Sequence, residues 1–529
     1  MQNLALEQWT RDLPVRAMRG DIRDRNGVTL ASSMTSYDIF VRPRMIKDEA
    51  DAAKKIASIL DLDEKRLYEK LKKKTTSEFT LKLSVDEDTA KRLLALDISG
   101  VYYSISSSRV YAYGALASQV IGFTSIDGVG QSGIELLYDD VLSGENGQIL
   151  TQTDLLGIEI EDSVTYIKNG VDGLDVELTL SCEIQSIAEN ALKRAMIAYT
   201  PKSASAVVMD VNSGEILAMA SLPSLDLNDL PRDDLSSLFS LSRNRLITDI
   251  YEPGSTFKVL TASMNLEEYK NGNPKAFSPE HVFSSAGIRV VDGQTIKCWT
   301  KHTNGKHSAQ HLKEALQNSC NPIFVDIATN LGKDTVYKYL SAFGYGKQTG
   351  IDFVGEESGM LLSKESAKTC DVARIGFGQT IAVTPLQLLN ATAAAINGGK
   401  LLKPRLIKSI GQGGRTLYTF EIKVISRPIS EETSAIMREY LHSVVENGGG
   451  KNAKVEGVSV GGKTGTAQKY VNGAISHGKY VSSFVGFFPV ESPKYIILVL
   501  VDEPVGGYYG STVAAPIAKE IIEGIVSLS

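Results

Sequence analysis

The sequence contains no uninterrupted apolar stretch of membrane-spanning length. A helix that crosses a bilayer needs about 18 or more consecutive apolar residues, and none of the 529 positions begins such a run. No signal peptide opens the chain, and residues 1–9 resemble the end of an amphipathic linker. We therefore expect residues 1–16 to be a linker remnant, and a single N-terminal membrane anchor to be absent from this chain.

The composition also gives no indication of a strongly basic surface. Lys and Arg total 56 against 62 Asp and Glu, so the formal net charge is −6. The cluster at residues 70–74 is typical of a solvated helix face, so nucleic acid is not an expected partner. With 43% hydrophobic and 22% charged residues, the chain is ordinary in composition and long enough for two or more domains.

Hydrophobic periodicity and turn residues predict the secondary structure. Asn26-Gly27 is a strong hairpin turn between two apolar strands. After residue 181 the order is a hairpin, then helices, then terminal strands, which predicts an α/β domain with an antiparallel sheet. Helices are predicted at 48–60, 63–74, 86–96, 182–199 and 514–526, and strands at 176–180, 205–210, 215–220, 457–462, 480–489 and 495–502.

A serine and a lysine at helical spacing stand in the stretch Tyr-Glu-Pro-Gly-Ser-Thr-Phe-Lys, residues 251–258. Residues 255–268 are predicted to form a helix, so Ser255 would lie at its N-terminus and Lys258 on the same face. A serine becomes a nucleophile when a neighbouring amine, kept neutral by a dry pocket, takes its proton. Taken alone, Ser-x-x-Lys is common and equally fits a helix cap followed by a solvated lysine.

Two further polar motifs follow in order along the chain. The hydroxyl and amide groups of Ser319-Cys320-Asn321 suit proton relay and the holding of a substrate amide. A predicted edge strand, residues 458–467, contains Lys-Thr-Gly-Thr. In this motif Gly465 would let a substrate backbone approach, and Lys463 and Thr464 would bind a carboxylate. Ser-x-x-Lys, Ser-x-Asn and Lys-Thr-Gly in this order are the motifs of penicillin-binding proteins and serine β-lactamases.

The whole chain resembles the class B penicillin-binding proteins, and within them the sporulation-specific branch. The motifs at 19–27, 210–219, 251–258, 318–322 and 462–468 carry this resemblance, and residues 376–379 resemble a buried turn behind the active serine. The resemblance implies an α/β multidomain fold. A serine β-lactamase/DD-peptidase-like transpeptidase domain at 181–529, an antiparallel sheet with flanking helices, would stand on an α+β pedestal of the dimerisation type at 17–180.

The resemblance also implies the activity, a D,D-transpeptidase that cross-links peptidoglycan stem peptides through a serine acyl-enzyme. Backbone N–H groups of Ser255 and Thr466 would form the oxyanion hole, and β-lactams would acylate Ser255. The expected catalytic residues are Ser255, Lys258, Ser319 and Lys463. The expected substrate-binding residues are Asn321, Thr464, Gly465 and Thr466.

Three other expectations concern role and location. The N-terminal segment shows no glycosyltransferase domain, so a glycan-polymerase membrane partner is implied. The chain is expected at the extracytoplasmic face of the membrane, in spore cortex or septal wall synthesis. The alternatives are a non-catalytic β-lactam-binding scaffold or sensor, a DD-carboxypeptidase and a β-lactamase. The absence of a Glu-x-x-Leu-Asn motif argues against the last of these, because class A β-lactamases need a glutamate-held water.

Cysteine and histidine are scarce, with four and six in the chain, yet residues 298–320 hold two of the cysteines and three of the histidines. Thiolates and imidazoles are the usual ligands of tetrahedral zinc. A structural zinc site is therefore predicted, although the cysteines could instead form a disulfide or remain inert thiols. No organic cofactor is expected. The chosen ligands are Asp292, Cys298, His307 and Cys320, with His302 and His311 as alternates.

Overall fold

The protein is described by a computed structural model that covers residues 10–15, 17–74, 77–153, 159–284, 286–300, 307, 309–471 and 474–528. Its α-helices are α1 (Glu49–Leu60), α2 (Glu64–Lys73), α3 (Glu87–Leu94), α4 (Ser118–Ile121), α5 (Gly133–Leu137), α6 (Asp139–Leu142), α7 (Cys182–Tyr199), α8 (Leu235–Ser242), α9 (Arg245–Thr248), α10 (Lys258–Lys270), α11 (Leu312–Gln317), α12 (Asn321–Ala342, interrupted at Gly332), α13 (Thr369–Ile375), α14 (Pro385–Ile396), α15 (Glu431–Asn447) and α16 (Ala514–Ser527). Short 3-10 turns lie at Pro43–Met45, Gly254–Phe257 and Lys451–Ala453.

The strands fall into one long pedestal sheet, one transpeptidase sheet and several small ladders. They are β1 (Thr10–Val15), β2 (Ile22–Arg23), β3 (Thr29–Val41), β4 (Phe79–Val85), β5 (Val101–Tyr111), β6 (Gly147–Thr153), β7 (Glu159–Lys168), β8 (Asp175–Leu178), β9 (Ser203–Asp210), β10 (Ile216–Leu222), β11 (Phe283–Ser284), β12 (Ile288–Val291), β13 (Gln294–Lys297), β14 (Ala309–Gln310), β15 (Met360–Leu361), β16 (Ile381–Ala382), β17 (Leu401–Leu402), β18 (Ile407–Gln412), β19 (Arg415–Thr419), β20 (Val424–Ser426), β21 (Gly461–Val471), β22 (Ala474–Phe488) and β23 (Tyr495–Asp502).

The N-terminal helices begin where aspartates can cap them. The carboxylates of Asp48, Asp63 and Asp86 accept hydrogen bonds from the first free backbone N–H groups of α1, α2 and α3. The predicted hairpin at residues 26–27 joins β2 to β3, with Gly27 at φ 84°. The helices predicted at 48–60, 63–74 and 86–96 agree with α1, α2 and α3 to within two residues at each end.

The expected linker is partly wrong. Residues 10–15 form β1, which pairs antiparallel with β6 in a three-stranded sheet that β7 completes. Backbone pairing to a distant strand replaces the solvation that a free linker would have. Residues 1–9 and 16 lie outside the described residues.

The pedestal sheet crosses the boundary that the sequence predicts at residue 180. Its strand order is β19-β18-β8-β2-β3-β4, with β5 paired to β3. β18 and β19 come from the C-terminal segment, and β18 lies antiparallel to β8. The pedestal is therefore tied to the C-terminal segment by main-chain hydrogen bonds.

A charged cluster occupies the interior of the pedestal. Glu135 is fully buried and receives Arg19 Nε at 2.6 Å and Arg109 Nε at 2.7 Å, while Arg19 also reaches Asp139 at 2.6 Å. Buried charges are tolerated when they are paired and hydrogen-bonded. These residues join β5 to the helices α5 and α6, so the charges have a structural role in the pedestal.

The C-terminal sheet is antiparallel throughout, in the order β10-β9-β23-β22-β21. α7 and α16 pack on one face over a core that contains Leu192, Phe484 and Ile521. The larger core, which contains Phe257 and Phe324, lies on the other face among α10, α12 and α14. The predicted antiparallel sheet with flanking helices is confirmed, and β21 is its edge strand.

Two strand boundaries were predicted wrongly, since β22 begins at Ala474 and not at residue 480. Residues 457–460 do not belong to β21, which starts at Gly461, because Val455 and Val458 bridge across a turn that contains Gly457 at φ 74°. Among the described residues, no helix has both the length and the apolarity needed to cross a membrane.

Candidate active site

Ser255 lies in a 3-10 turn, not in the first turn of an α-helix as the sequence predicts. The turn spans Gly254–Phe257, and α10 begins at Lys258. Gly254 has φ 54°, and its N–H donates to the carbonyl of Gly378 at 2.9 Å. A Cβ at Gly378 would stand 2.1 Å from the Gly254 oxygen. The Gly-Gln turn therefore packs directly behind the serine, as expected, because no side chain fits between the two backbones.

Lys258 points its amine at the serine from a fully buried position. Its Nζ lies 3.1 Å from Ser255 Oγ. The same atom lies 3.0 Å from Ser319 Oγ, 2.8 Å from the Ser319 carbonyl and 2.6 Å from Asn321 Oδ1. The amine also stands 5.4 Å from the ring centroid of Phe324, a contact that the sequence did not indicate. Ser-x-x-Lys and Ser-x-Asn therefore meet at one nitrogen atom.

Lys463 approaches the same hydroxyl from the edge strand. Its Nζ lies 3.1 Å from Ser319 Oγ and 3.0 Å from the Thr464 carbonyl, and its side chain is 1% exposed. Ser319 holds a left-handed backbone conformation, φ 53°, which costs a non-glycine residue free energy and is common at functional sites. The three predicted catalytic side chains around Ser255 are thus in contact through Ser319.

The two buried amines are electrostatically unusual. Burial lowers the pKa of Lys258 to about 7. Burial, and then the charge of Lys258, hold the pKa of Lys463 well below its usual range. Neither amine forms an ion pair with a carboxylate of the described residues. A lysine in this state can accept a proton near neutral pH.

Gly465 has a packing role that the sequence did not predict. A Cβ at this position would stand 2.4 Å from Ser483 Oγ and 3.0 Å from Thr256 Cγ2. The glycine therefore allows the 3-10 turn of Ser255 to pack against β21.

The two threonines of Lys-Thr-Gly-Thr lie on one side of the strand, two positions apart. Thr466 Oγ1 accepts a hydrogen bond from the N–H of Gly510 at 3.0 Å. Thr464 lies near Gly449, because a Cβ added to Gly449 would be 3.6 Å from Thr464 Oγ1. Both threonines are half-buried.

Three of the four predicted metal ligands cluster behind the Ser-x-Asn segment. The ligand atoms of Cys298, His307 and Cys320 all lie within 4.8 Å of one another, and Cys298 Sγ is 4.0 Å from His307 Nδ1. Zinc bond lengths and tetrahedral angles place a sulfur and a nitrogen ligand about 3.6 Å apart. The donor set therefore fits zinc after a small contraction. No disulfide joins any two of the cysteines in the described part of the chain.

The prediction that Asp292 belongs to this cluster is wrong. Asp292 is exposed and has φ 49°. Its carboxylate accepts the N–H of Cys370 at 2.9 Å at the start of α13, so it stabilises a helix end. His311 is also outside the cluster, because it precedes α11 and donates its backbone N–H to Glu314. His302 lies outside the described residues.

Known proteins share this arrangement along almost the whole chain. Residues 204–523 match the family described as the penicillin binding protein transpeptidase domain. The chain belongs to that family. Residues 14–178 of this penicillin-binding protein also match the penicillin-binding protein dimerisation domain.

Several relatives show how far the likeness extends. Stage V sporulation protein D of Bacillus subtilis (strain 168) is 39% identical over 527 residues, which cover 99% of this penicillin-binding protein and 80% of the relative. The probable peptidoglycan D,D-transpeptidase PenA of Neisseria meningitidis is 31% identical, with 98% and 85% covered. The crystal structure of penicillin binding protein 2X from Streptococcus thermophilus has a TM-score of 0.79 at 26% identity, with 98% and 80% covered.

Proposed function

We propose that this penicillin-binding protein is a peptidoglycan D,D-transpeptidase that works through an acyl-enzyme on Ser255. The observation that carries the proposal is the Lys258 amine, which is fully buried, 3.1 Å from the Ser255 hydroxyl and without a carboxylate partner among the described residues. Relatives that match nearly the full chain are named peptidoglycan D,D-transpeptidases. The coarser conclusion, a cell-wall transpeptidase, follows from the family itself.

In the proposed acylation step, the neutral amine of Lys258 takes the proton of Ser255 while Oγ attacks the carbonyl of the penultimate D-alanine. Backbone N–H groups of Ser255 and Thr466 stabilise the oxyanion. The bond to the terminal D-alanine then breaks, and Ser319 relays a proton to the leaving amine from Lys258 or Lys463.

Substrate recognition is assigned to the groove beside the edge strand. Asn321 holds the donor peptide, and Thr464 and Thr466 bind its terminal carboxylate. Gly465 contributes by keeping the serine turn against the strand. An amine of a second stem peptide then attacks the acyl-enzyme, which forms the cross-link. β-Lactams mimic the donor, and their reaction ends at the acylated serine.

Covalent labelling tests the nucleophile. Fluorescent benzylpenicillin should label the wild type, and peptide mass spectrometry should place the label on Ser255. The variant Ser255→Ala should take no label, while Ser236→Ala, an exposed serine on α8, should be labelled like the wild type. Equal labelling of Ser255→Ala would refute the assignment. Rapid release of the label would favour a β-lactamase or DD-carboxypeptidase. A stable label on a protein that does not cross-link glycan strands bearing stem peptides would favour the scaffold or sensor.

The cellular role is a further part of the proposal. The relative with 39% identity is a stage V sporulation protein, which supports a role in spore cortex or septal wall synthesis at the extracytoplasmic face of the membrane. We also propose a glycan-polymerase membrane partner that supplies the strands to be cross-linked. Co-purification of the protein with a membrane-embedded glycan polymerase would test the partnership.

We propose that Cys298, His307 and Cys320 hold a structural zinc ion. Cys320 stands between Ser319 and Asn321, so a bound ion would hold this catalytic segment from behind and take no part in acyl transfer. Elemental analysis of protein purified without added metal should find about one zinc per chain. Cys298→Ser and Cys320→Ser should lose the zinc, whereas Cys182→Ser should keep it. A Cys298–Cys320 disulfide without zinc would refute the proposal.

A further inference from the structure

A cavity of about 550 Å³ lies where the pedestal meets the loop that precedes α8. Most of its walls belong to the pedestal strands β4 and β5 and to the segment after α4. The lining residues are 80–84, 107–109, Tyr111, 124–126, Gly128, Leu227, Asn228 and Arg232. None of the proposed catalytic, substrate-binding or metal residues lines this space.

The charged side chains of this lining are all cationic. Lys82, Arg109 and Arg232 line the cavity, and none of its described lining residues is acidic. Asp229 and Asp233 lie close to Arg232 in the sequence, yet neither lines the cavity. The excess of positive charge favours an anionic ligand.

The guanidinium group of Arg109 has one donor to spare. Its side chain is 4% exposed, and its Nε donates to Glu135 at 2.7 Å while its Nη1 donates to the Gly20 carbonyl at 2.8 Å. Its Nη2 is buried and has no hydrogen-bond partner in the described part of the chain. A buried donor without a partner is unfavourable. Because Arg109 lines the cavity, an acceptor oxygen bound there would supply that partner.

Main-chain carbonyls position the other two cations. Lys82 Nζ donates to the carbonyl of Leu60 at 2.8 Å, and Arg232 Nη2 donates to the carbonyl of Thr124 at 3.0 Å. These bonds use one donor of each side chain, so most of their N–H groups remain for a ligand. Neither cation forms an ion pair with a described residue, so their positive charges are not neutralised by a contact.

The composition of the lining also indicates the class of anion. Arginine binds two oxygens of a phosphate group side by side, so cations on three separate segments suit a ligand with several charged oxygens. The volume of about 550 Å³ leaves room for more than one phosphate. Leu83 and Ile126, which are 37% and 57% exposed, line the same cavity and would suit a hydrocarbon substituent.

We propose that this cavity binds a diphosphate group, which Lys82, Arg109 and Arg232 hold by charge-assisted hydrogen bonds. The diphosphate is either free in solution or the head group of a lipid. Two of the cations belong to the pedestal, and Arg232 belongs to the loop before α8. The bound anion therefore links these two parts of the chain and takes no part in acyl transfer.

Isothermal titration calorimetry of the full chain with inorganic diphosphate tests the site. The wild type should bind one diphosphate per chain, and binding should raise its Tm. Arg232→Gln and Lys82→Gln should each weaken binding by about tenfold or more, because each removes a charged donor. Benzylpenicillin should label these two variants at the wild-type rate, so the test does not depend on acylation.

Arg427→Gln and Lys54→Gln are the matched controls. They remove the same charges from exposed side chains that do not line the cavity, and should bind diphosphate like the wild type. A wild type that shows no saturable binding would overturn the proposal. Weakening of the controls to the same extent as Arg232→Gln and Lys82→Gln would also overturn it, because binding would then depend only on net charge.

Two further probes identify the ligand. Succinate, which carries two carboxylates, should bind at least about tenfold more weakly than diphosphate, and equal binding would overturn the assignment to phosphate chemistry. Farnesyl diphosphate distinguishes the two sources. Tighter binding than inorganic diphosphate, lost in Ile126→Ser, would support a lipid head group, whereas equal binding would support a soluble diphosphate.

Discussion

The amines of Lys258 and Lys463 meet at one atom, the hydroxyl oxygen of Ser319, at 3.0 and 3.1 Å. Both amines are buried, and no carboxylate of the described residues pairs with either. Two adjacent buried cations would be strongly unfavourable, so at least one amine is neutral. This shared hydroxyl connects the proposed base to the edge strand.

The pH dependence of acylation should follow this arrangement. Because burial lowers the pKa of Lys258 to about 7, the amine is neutral and able to accept a proton above that pH, and is protonated below it. The rate constant for acylation by benzylpenicillin should therefore rise through a midpoint near 7, and fall about tenfold per unit on the acid side. A profile that is flat from mildly acidic to mildly basic pH would exclude Lys258 as the base.

Two substitutions at Ser319 separate its hydroxyl from its backbone conformation. Both Ser319→Ala and Ser319→Gly remove the oxygen that the two amines share, so both should slow acylation by about 10²-fold or more. Only glycine relieves the left-handed φ of 53°. Ser319→Gly should therefore be more stable than Ser319→Ala by about 1 kcal/mol in thermal unfolding. Equal stability of the two variants would mean that the backbone is unstrained.

Gly465→Ala should damage acylation without touching a catalytic side chain. The new Cβ would lie 2.4 Å from Ser483 Oγ and 3.0 Å from Thr256 Cγ2, so the turn that carries Ser255 must move. Misplacement of a nucleophile by about 1 Å can cost about 10²-fold in rate. Benzylpenicillin labelling kinetics provide the measurement. Gly507→Ala is the control, because its Cβ would have no neighbour closer than 3.6 Å.

The charge cluster of the pedestal should matter for stability. Glu135→Ala leaves the guanidinium groups of Arg19 and Arg109 buried without their main partner. Removing one member of a buried ion pair costs about 3–5 kcal/mol, which thermal unfolding should detect as a lower Tm. Glu145→Ala removes an exposed carboxylate 3.9 Å from Lys168, and should change stability by less than about 1 kcal/mol. Equal effects of the two variants would contradict the structural role of the cluster.

Local sequence patterns were sufficient for much of the fold. The aspartate caps and hydrophobic periodicity predicted the pedestal helices, and α7 agrees with its prediction at both ends. The ordered motifs predicted which polar residues would share a groove. The helices depend on residues that are close together in the sequence. The motifs can be recognised because their combination of residue types is required by one kind of chemistry.

Other features were decided by packing between distant segments. β18 joins the pedestal sheet at β8, more than 200 residues away in sequence, and no local pattern signals such a partner. Asp292 lies outside the thiol cluster, and its carboxylate instead accepts a hydrogen bond from the N–H of Cys370. A cavity lined by Glu252 exists only because segments far apart in the sequence surround it.

By itself, the sequence determined the fold family, the antiparallel sheet and the identity of the polar residues in the groove, because residue type and order carry that information. Only the tertiary structure decided that Lys258 and Lys463 meet at Ser319, and that both amines are buried. The reason is physical: a lysine becomes a base through desolvation, and desolvation is a property of everything packed around the amine.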